Sequence, residues 1–423
     1  MLQLFKCRHV VIRSIFSFSV FLSIILAGPV EGKNRTADWP NWRGPNYNGI
    51  STEIIEVPRE EDFKKLWHQS VGTGFSSFSV GNGCAYTMGN TGKKGKKTEQ
   101  KDIIYCLDIN TGKITWEYPF LSPLEPKLYE GGPNSTPSLH GSFVYTFSKH
   151  GEVFCFNAKN GEIIWRKNLH KELKFDKPSW GFSSSPLIMD KMLILNAGTA
   201  GIALDKNTGT VLWSNGTKAP GYATPVPLNI AGKKSLLLFG SAYLYAVNAS
   251  NGKQLWDYQW KTSYKINAAD PIIEGDEIFI SSGYGKGCTL LKMSPDGCTE
   301  IWRNKKMRNQ INSSVLWKDH IYGFDGQVGG GGKLICLEFK TGKVKWSRKG
   351  MGTGSLIMAN GMMIILSEKG KLIIAQARPD KFEPLLEKQI LQGKCWTAPV
   401  LAGGKVFARN ADGDVVCYQL AKN

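Results

Sequence analysis

The sequence is short of almost everything by which a hydrolytic or metal-dependent enzyme is usually recognised. After residue 32 it holds five histidines, His68, His140, His150, His170 and His320. None falls in an HxH or HExxH spacing, so no zinc or other metal site is legible. Nine cysteines occur without a CxxC or an adjacent pair, and GxSxG is absent. The glycine run 329–332 lacks the Lys-Ser/Thr of a phosphate loop and reads as a hairpin. Long hydrophobic runs are missing as well. The one apolar stretch, 14–27, has 14 residues and is too short for a comfortable membrane span. Helical periodicity is absent after residue 32, which leaves short strands and tight turns, in keeping with 47 glycines.

The apolar stretch follows a basic leader of Lys6, Arg8 and Arg13 and precedes Val30-Glu31-Gly32. Residues 1–32 therefore read as a secretory signal peptide, placing the mature chain in the periplasm or outside the cell. Leu26-Ala27-Gly28 looks like a lipoprotein signal, but Pro29 stands where the lipidated cysteine would be, so no lipid anchor is expected. The formal charge of +18 falls to +16 without the leader. It is dispersed, apart from a loop cluster of Lys93, Lys94, Lys96 and Lys97. An exported chain is not expected to bind nucleic acid, and that cluster reads as a solvated loop or as a surface for an anionic partner.

What the chain has in abundance is itself. Residues 105–116 read YCLDINTGKITW, and the pattern returns at 154–165 (FCFNAKNGEIIW), 202–213 (IALDKNTGTVLW), 245–256 (YAVNASNGKQLW) and 335–346 (ICLEFKTGKVKW). A looser copy spans 290–302. Each copy is a strand, a turn whose glycine permits positive φ, and a second strand ending on Trp. Trp67, Trp116, Trp165, Trp213, Trp256, Trp302 and Trp346 follow one another at steps of 43 to 49 residues. A period in the forties made only of strands predicts propeller blades.

Eight blade openings mark the same count: Ser76-Ser77, Ser135-Thr136-Pro137, Ser184-Ser185-Pro186, Ala223-Thr224-Pro225, Ala269-Asp270-Pro271, Ser313-Ser314-Val315, Gly354-Ser355-Leu356 and Thr397-Ala398-Pro399. The seventh repeat lacks its Trp and offers Leu385 or Leu386 instead. The eighth ends after three strands at 415–420, while an orphan strand around Trp67 precedes the first opening. The expectation is an all-β, eight-bladed β-propeller of four-stranded antiparallel blades over residues 63–423, closed by the N-terminal strand completing the last blade. Residues 33–62, with Trp39 and Trp42, should form an ordered loop packed on it. The seven Trp side chains should wedge between blades. Cys106, Cys155, Cys336 and Cys417 share a small buried slot with Ala203, Ala246 and Ala375. Equivalent atoms of different blades lie too far apart to bridge. Cys288 and Cys298 flank one hairpin out of register and should stay unbridged too.

The copies DINTGKITW, DKNTGTVLW and FKTGKVKW resemble the tryptophan-docking repeats of the pyrroloquinoline-quinone (PQQ) propeller family, and the DWPNWRGPNYNGIS opening is similar to that of exported proteins with such propellers. The resemblance covers residues 38–420 and implies the fold, with two functional branches. One is the quinoprotein dehydrogenases, which oxidise alcohols or sugars with PQQ and calcium; many alcohol-oxidising members carry an adjacent cysteine pair that this chain lacks. The other is non-catalytic, like the propeller lipoprotein of outer-membrane protein assembly. The reading adopted is an exported, non-enzymatic binding or assembly scaffold of the cell envelope with protein or envelope partners. The alternative is a small PQQ-dependent oxidoreductase.

Either role would use the mouth of the central channel, where the residues before each blade opening converge. These are Phe75, Asn134, Trp180, Tyr222, Asn267, Asn312, Thr353 and Trp396. They could form a stacking platform for a planar ring or a sugar, or pack on one another to cap the channel. No metal-ligand set and no catalytic constellation stands out, and Asp270 is the one acid among the openings. As a general base it would need a second group beside it; as a turn cap it needs only backbone.

Overall fold

The buried residues of this chain lie mostly on short apolar strands, such as Phe143–Phe147, Met192–Leu195 and Met362–Leu366. A computed structural model of the chain describes residues 38–92 and 96–420. The expected signal at 1–32 lies outside the described residues, as do Lys93 and Lys94. Eight sheets result. Blade one is built from Ser79–Gly81, Cys84–Asn90, Lys101–Asp108 and Ile114–Leu121, each antiparallel to the next. Six further blades repeat that order along the chain. The eighth takes its first three strands from Val400–Ala402, Lys405–Arg409 and Asp414–Gln419, and its fourth from Lys65–Ser70 at the other end of the sequence. Trp67 lies opposite Cys417, so the ring closes as the repeat count requires. One blade departs from four strands. Ile50–Ser51 adds to the seventh sheet in parallel with Met358 and Ala359, because the N-terminal segment passes that edge on its way to the closure.

The docking side chains owe their direction to a bulge. In all eight blades the register between third and fourth strands slips just before the docking residue, as between Ile163 and Trp165 and between Lys65 and Trp67. One extra residue turns the ring inward and is itself pushed out. Leu66, Thr115, Ile164, Leu212, Leu255, Ile301, Lys345 and Leu385 are those extra residues, and all but half-buried Leu255 are exposed. In blade seven the docking place therefore belongs to buried Leu386. The small slot of Cys106, Cys155, Ala203, Ala246, Cys336 and Cys417 lies directly across from the Trp, where a larger side chain would meet the indole. The eight described cysteines are all free; Cys288 faces Asn304 and Cys298 faces Met293.

Each indole reaches the next blade. Trp67 Nε1 donates to Ile109 O (3.0 Å), Trp116 to Ala158 O (2.9 Å), Trp165 to Lys206 O (2.9 Å), Trp213 to Ala249 O (2.9 Å), Trp302 to Phe339 O (3.0 Å) and Trp346 to Arg378 O (2.7 Å). The acceptor lies three residues beyond the slot, at the turn, in every case but Arg378, because in blade seven Ile374 and not the expected Ala375 faces the docking Leu386. The turn glycine serves twice. Gly252 has φ of 72°, and a Cβ there would sit 2.6 Å from the Trp213 ring. Trp256 alone fails to pair. Its neighbour, the looser fifth copy, continues its strand to Ser294, so the equivalent residue Met293 is still inside the sheet and the Trp256 indole N–H has no acceptor.

Closure has a clasp of its own. Arg409 on the eighth blade is fully buried and donates to Ser76 O (3.0 Å), Met88 O (2.7 Å) and Gly72 O (3.0 Å) of the first blade's surroundings. Burial pushes its guanidinium down to about 9. Around the axis, the backbone N–H of Ser77, Thr136, Ser185, Thr224 and Asp270 each donate to the opening side chain of the following blade, ending on Ser313 Oγ. Asp270 thus fills a Ser/Thr place in this ring, and its bonds cross between blades instead of capping its own turn.

The missing acceptor generates a test. Replacing Trp213 with Phe strands the Ala249 carbonyl, whereas replacing Trp256 with Phe strands nothing. Trp213→Phe should destabilise by about 1–2 kcal/mol more than Trp256→Phe in matched denaturant titrations; equal losses would show that the indole bond contributes little.

Candidate binding site at the channel mouth

The loops that enter the innermost strands converge on one end of the channel and enclose a cavity of about 470 Å³. Its floor comes from the N-terminal segment. Trp39 pairs with Val80 at the first blade and is buried, and the chain then crosses the axis. Trp42 Nε1 donates to Asp270 Oδ2 (2.7 Å). Arg43 Nε lies 3.8 Å from the same carboxylate, and Arg43 Nη2 donates to Ser314 O (2.8 Å). Farther on, both Glu53 carboxylate oxygens accept from the backbone N–H of Gly403 and Gly404 in the eighth blade. The segment was expected to lie on a blade with both Trp packed there. Trp39 does so, but Trp42 leaves the blades and closes the channel, because Asp270 offers it an acceptor at the axis.

Six of the residues named from the sequence line this cavity: Phe75, Asn134, Trp180, Tyr222, Asn312 and Trp396. Two do not. Asn267 is fully buried, its amide donating to Gly240 O (2.9 Å) and its Oδ1 accepting from Ser282 Oγ (2.8 Å), so it ties two blades together. Thr353 is buried behind the wall, its N–H donating to Glu368 Oε2 (3.0 Å). Asp270 is at the floor, with Oδ1 accepting from Thr224 N (2.8 Å). Burial raises its pKa and lowers that of Arg43, and the attraction between the two opposes both shifts.

The wall also holds residues that sequence reasoning passed over. Tyr129 and exposed Leu128 come from the long connection between blades one and two, and Tyr284 and Gln327 from loops between second and third strands. In an antiparallel blade those loops share a face with the entry loops, which was the available signal. The aromatics support one another edge to edge. Phe75 stacks on Trp396 at 5.5 Å and leans on Tyr129 at 5.6 Å, and Tyr129 meets Trp180 edge-on at 5.7 Å. Trp396 is held by its Nε1 bond to Glu368 Oε1 (3.0 Å). The rings thus pack on one another and line the cavity.

The 122–133 connection is fastened from below. Buried Lys149 donates to Leu124 O (3.1 Å), Lys394 pairs with Glu130 (2.7 Å), and Asp102 accepts from Ser122 Oγ (2.6 Å) and Asn90 Nδ2 (2.7 Å). None of these ions is part of the cavity lining, although Lys149 and Lys394 lie over the Tyr129 and Trp396 rings at 5.4 and 4.3 Å.

An eight-bladed, tryptophan-docked propeller with a floored mouth defines the class. Within that class the chain belongs to the family whose model is described as outer membrane protein assembly factor BamB, which matches residues 100–348. It is similar to outer membrane protein assembly factor BamB of Yersinia pestis, 21% identical over 84% of this chain and 88% of that protein. It is also similar to quinoprotein ethanol dehydrogenase of Pseudomonas putida, 26% identical over 40% of this chain but only 29% of that enzyme. Solved structures agree on the fold: BamB from Moraxella catarrhalis has a TM-score of 0.61, with 14% identity, over 84% of this chain and 99% of that one. Quinohemoprotein alcohol dehydrogenase from Comamonas testosteroni has a TM-score of 0.66, with 12% identity, over 92% and 81%.

Burial pushes the Asp102 carboxyl from its ordinary 3.8 up to about 6, although Ser122, Asn90 and Lys149 pull it down. The folded chain therefore holds this proton more tightly than the unfolded chain. Stability from this group is full below about pH 4 and lost as pH rises through 6, a change of about 3 kcal/mol. Asp102→Asn should remove that slope, gaining on the parent between pH 4 and 7 in thermal melts; parallel profiles would contradict it.

Proposed function

We propose that the chain is an exported, non-enzymatic β-propeller acting as a binding or assembly scaffold in a cell envelope, with protein or envelope components as partners. The observation that carries this reading is the likeness to the Yersinia assembly factor along nearly the whole of both chains. Among the described residues, no helix is long and apolar enough to cross a membrane.

The chemistry of the mouth supports the same reading over the quinoprotein one. PQQ carries three carboxylates that need Arg or Lys, and its calcium needs several oxygen ligands. No Arg or Lys is among the residues lining the cavity. Arg43, below the floor, is committed to Asp270 and to carbonyls. Asp270 is the one carboxylate in the lining, and its oxygens already serve Thr224, Trp42 and Arg43. These residues do not fit PQQ with calcium. The quinoprotein reading rests on partial similarity to dehydrogenases.

Titrating the purified protein with PQQ and calcium, while following tryptophan fluorescence and dye-linked ethanol and glucose oxidation, separates the two. No saturable quenching and no turnover are expected; quenching with turnover would replace the scaffold with an oxidoreductase. Affinity capture from solubilised bacterial envelopes should recover components of outer-membrane protein assembly, and their absence at every salt concentration would count against the scaffold.

A further inference from the structure

We propose that the mouth cavity is a binding site for a neutral oligosaccharide, held by ring stacking and by phenol hydrogen bonds and released unchanged. Four features of the lining converge on that chemistry.

The first is charge. The cavity has no lining cation, and its single acid is buried at the floor with its oxygens already bonded. Lys127, Lys149 and Lys394 sit over the Trp180, Tyr129 and Trp396 rings, at 5.5, 5.4 and 4.3 Å, but they are bonded to Ser179 O, Leu124 O and Glu130 and are not part of the lining. A charged ligand would therefore give up its hydration with no lining ion to replace it. The second is aromatic surface. Trp42, Phe75, Tyr129, Trp180, Tyr222, Tyr284 and Trp396 all line the cavity and all keep part of their surface open. Flat apolar faces beside polar handles suit a ring with C–H faces and a hydroxyl edge.

The third is unspent hydrogen bonding. Tyr129 OH accepts from Asn134 Nδ2 (3.4 Å), Tyr222 OH from Trp180 N (3.4 Å) and Tyr284 OH from Gln310 Nε2 (2.9 Å). None of the three donates its own proton to a described residue. Burial raises the pKa of all three, that of Tyr222 to about 12, so they stay donors through neutral pH. The Gln327 amide, also in the lining, has no side-chain partner among the described residues. A purely apolar guest would bury these donors unpaired, which is costly; a sugar answers them with hydroxyl oxygens. The fourth is shape. A volume of about 470 Å³ is ordinary for a small-molecule site. Trp42 and Arg43 floor it, so the site takes a chain end or a short oligomer entering from the rim, where Leu128 is 88% exposed and Tyr264 65%.

The test uses the whole mature chain, with cellotriose, maltotriose and N-acetylchitotriose as neutral probes and trigalacturonate as a charged one. Tryptophan fluorescence and calorimetry read binding, and mass spectrometry of the recovered sugar reads chemistry. At least one neutral probe should saturate the site and be recovered intact, with trigalacturonate binding at least about tenfold more weakly. Trp180→Ala should weaken binding about tenfold or more, and the conservative Tyr222→Phe about threefold to tenfold, with melting temperatures close to the parent's. Three results would each overturn the proposal: no saturation by any neutral probe at millimolar concentration, equal affinity for trigalacturonate, or full affinity retained in both variants.

Discussion

A ring of separate sheets stands only if each sheet is held by its neighbour, and here the holding contact is an indole placed against the next blade's turn. The bulge aims the ring, the slot opposite leaves room for it, the turn glycine lets it lie flat, and a carbonyl accepts its N–H. Each part is needed by the others. A glycine freed from its Trp would be only a turn residue, and a Trp without the bulge would point to solvent. The same contact forces closure, because the last blade would otherwise offer neither the docking side chain for blade one nor a covered edge. Trp67 supplies the first and the strand Lys65–Ser70 the second, with Arg409 bonding across the joint.

Closure then fixes the site. Once the blades are held at their outer strands, the inner strands are held at the axis by the chain of opening residues, and their entry loops have nowhere to go but inward. Asp270 shows how one residue links these levels. It takes a Ser/Thr place in the axial ring, yet its second oxygen holds Trp42 and attracts Arg43, turning an open channel into a floored bowl. An acid that the sequence offers as a turn cap, or as a base only with a second group beside it, is spent on architecture, and the lining above it is aromatic and without a cation.

The repeat was readable because its parts are local. Strand, turn, glycine and Trp fall within twelve residues, and the period follows from counting. The closure was readable because eight openings faced seven complete outer strands and one orphan. The failing pair was half visible: the fifth copy looked looser, but only the sheet register shows that Met293 stays in the strand and leaves Trp256 without an acceptor. The site was legible where one loop type built it, as for Phe75, Trp180 and Trp396, and obscure where a second loop type joined it, as for Tyr284 and Gln327. Asn267 and Thr353 hold the expected positions in sequence but stay out of the lining: the Asn267 amide follows its partners in two blades, and Thr353 is held by its backbone N–H on Glu368 while its hydroxyl is buried without a partner. Trp42 was misplaced because its acceptor lies 228 residues away.

Hydrogen exchange resolved by blade bears most directly on the claim that inter-blade docking closes this ring. The strand Lys65–Ser70 should exchange as slowly as the outer strands of blades two and three, and the junction of blades four and five, where the indole bond is missing, should open before its neighbours. Early exchange of Lys65–Ser70, with the remaining blades still protected, would contradict a closed ring.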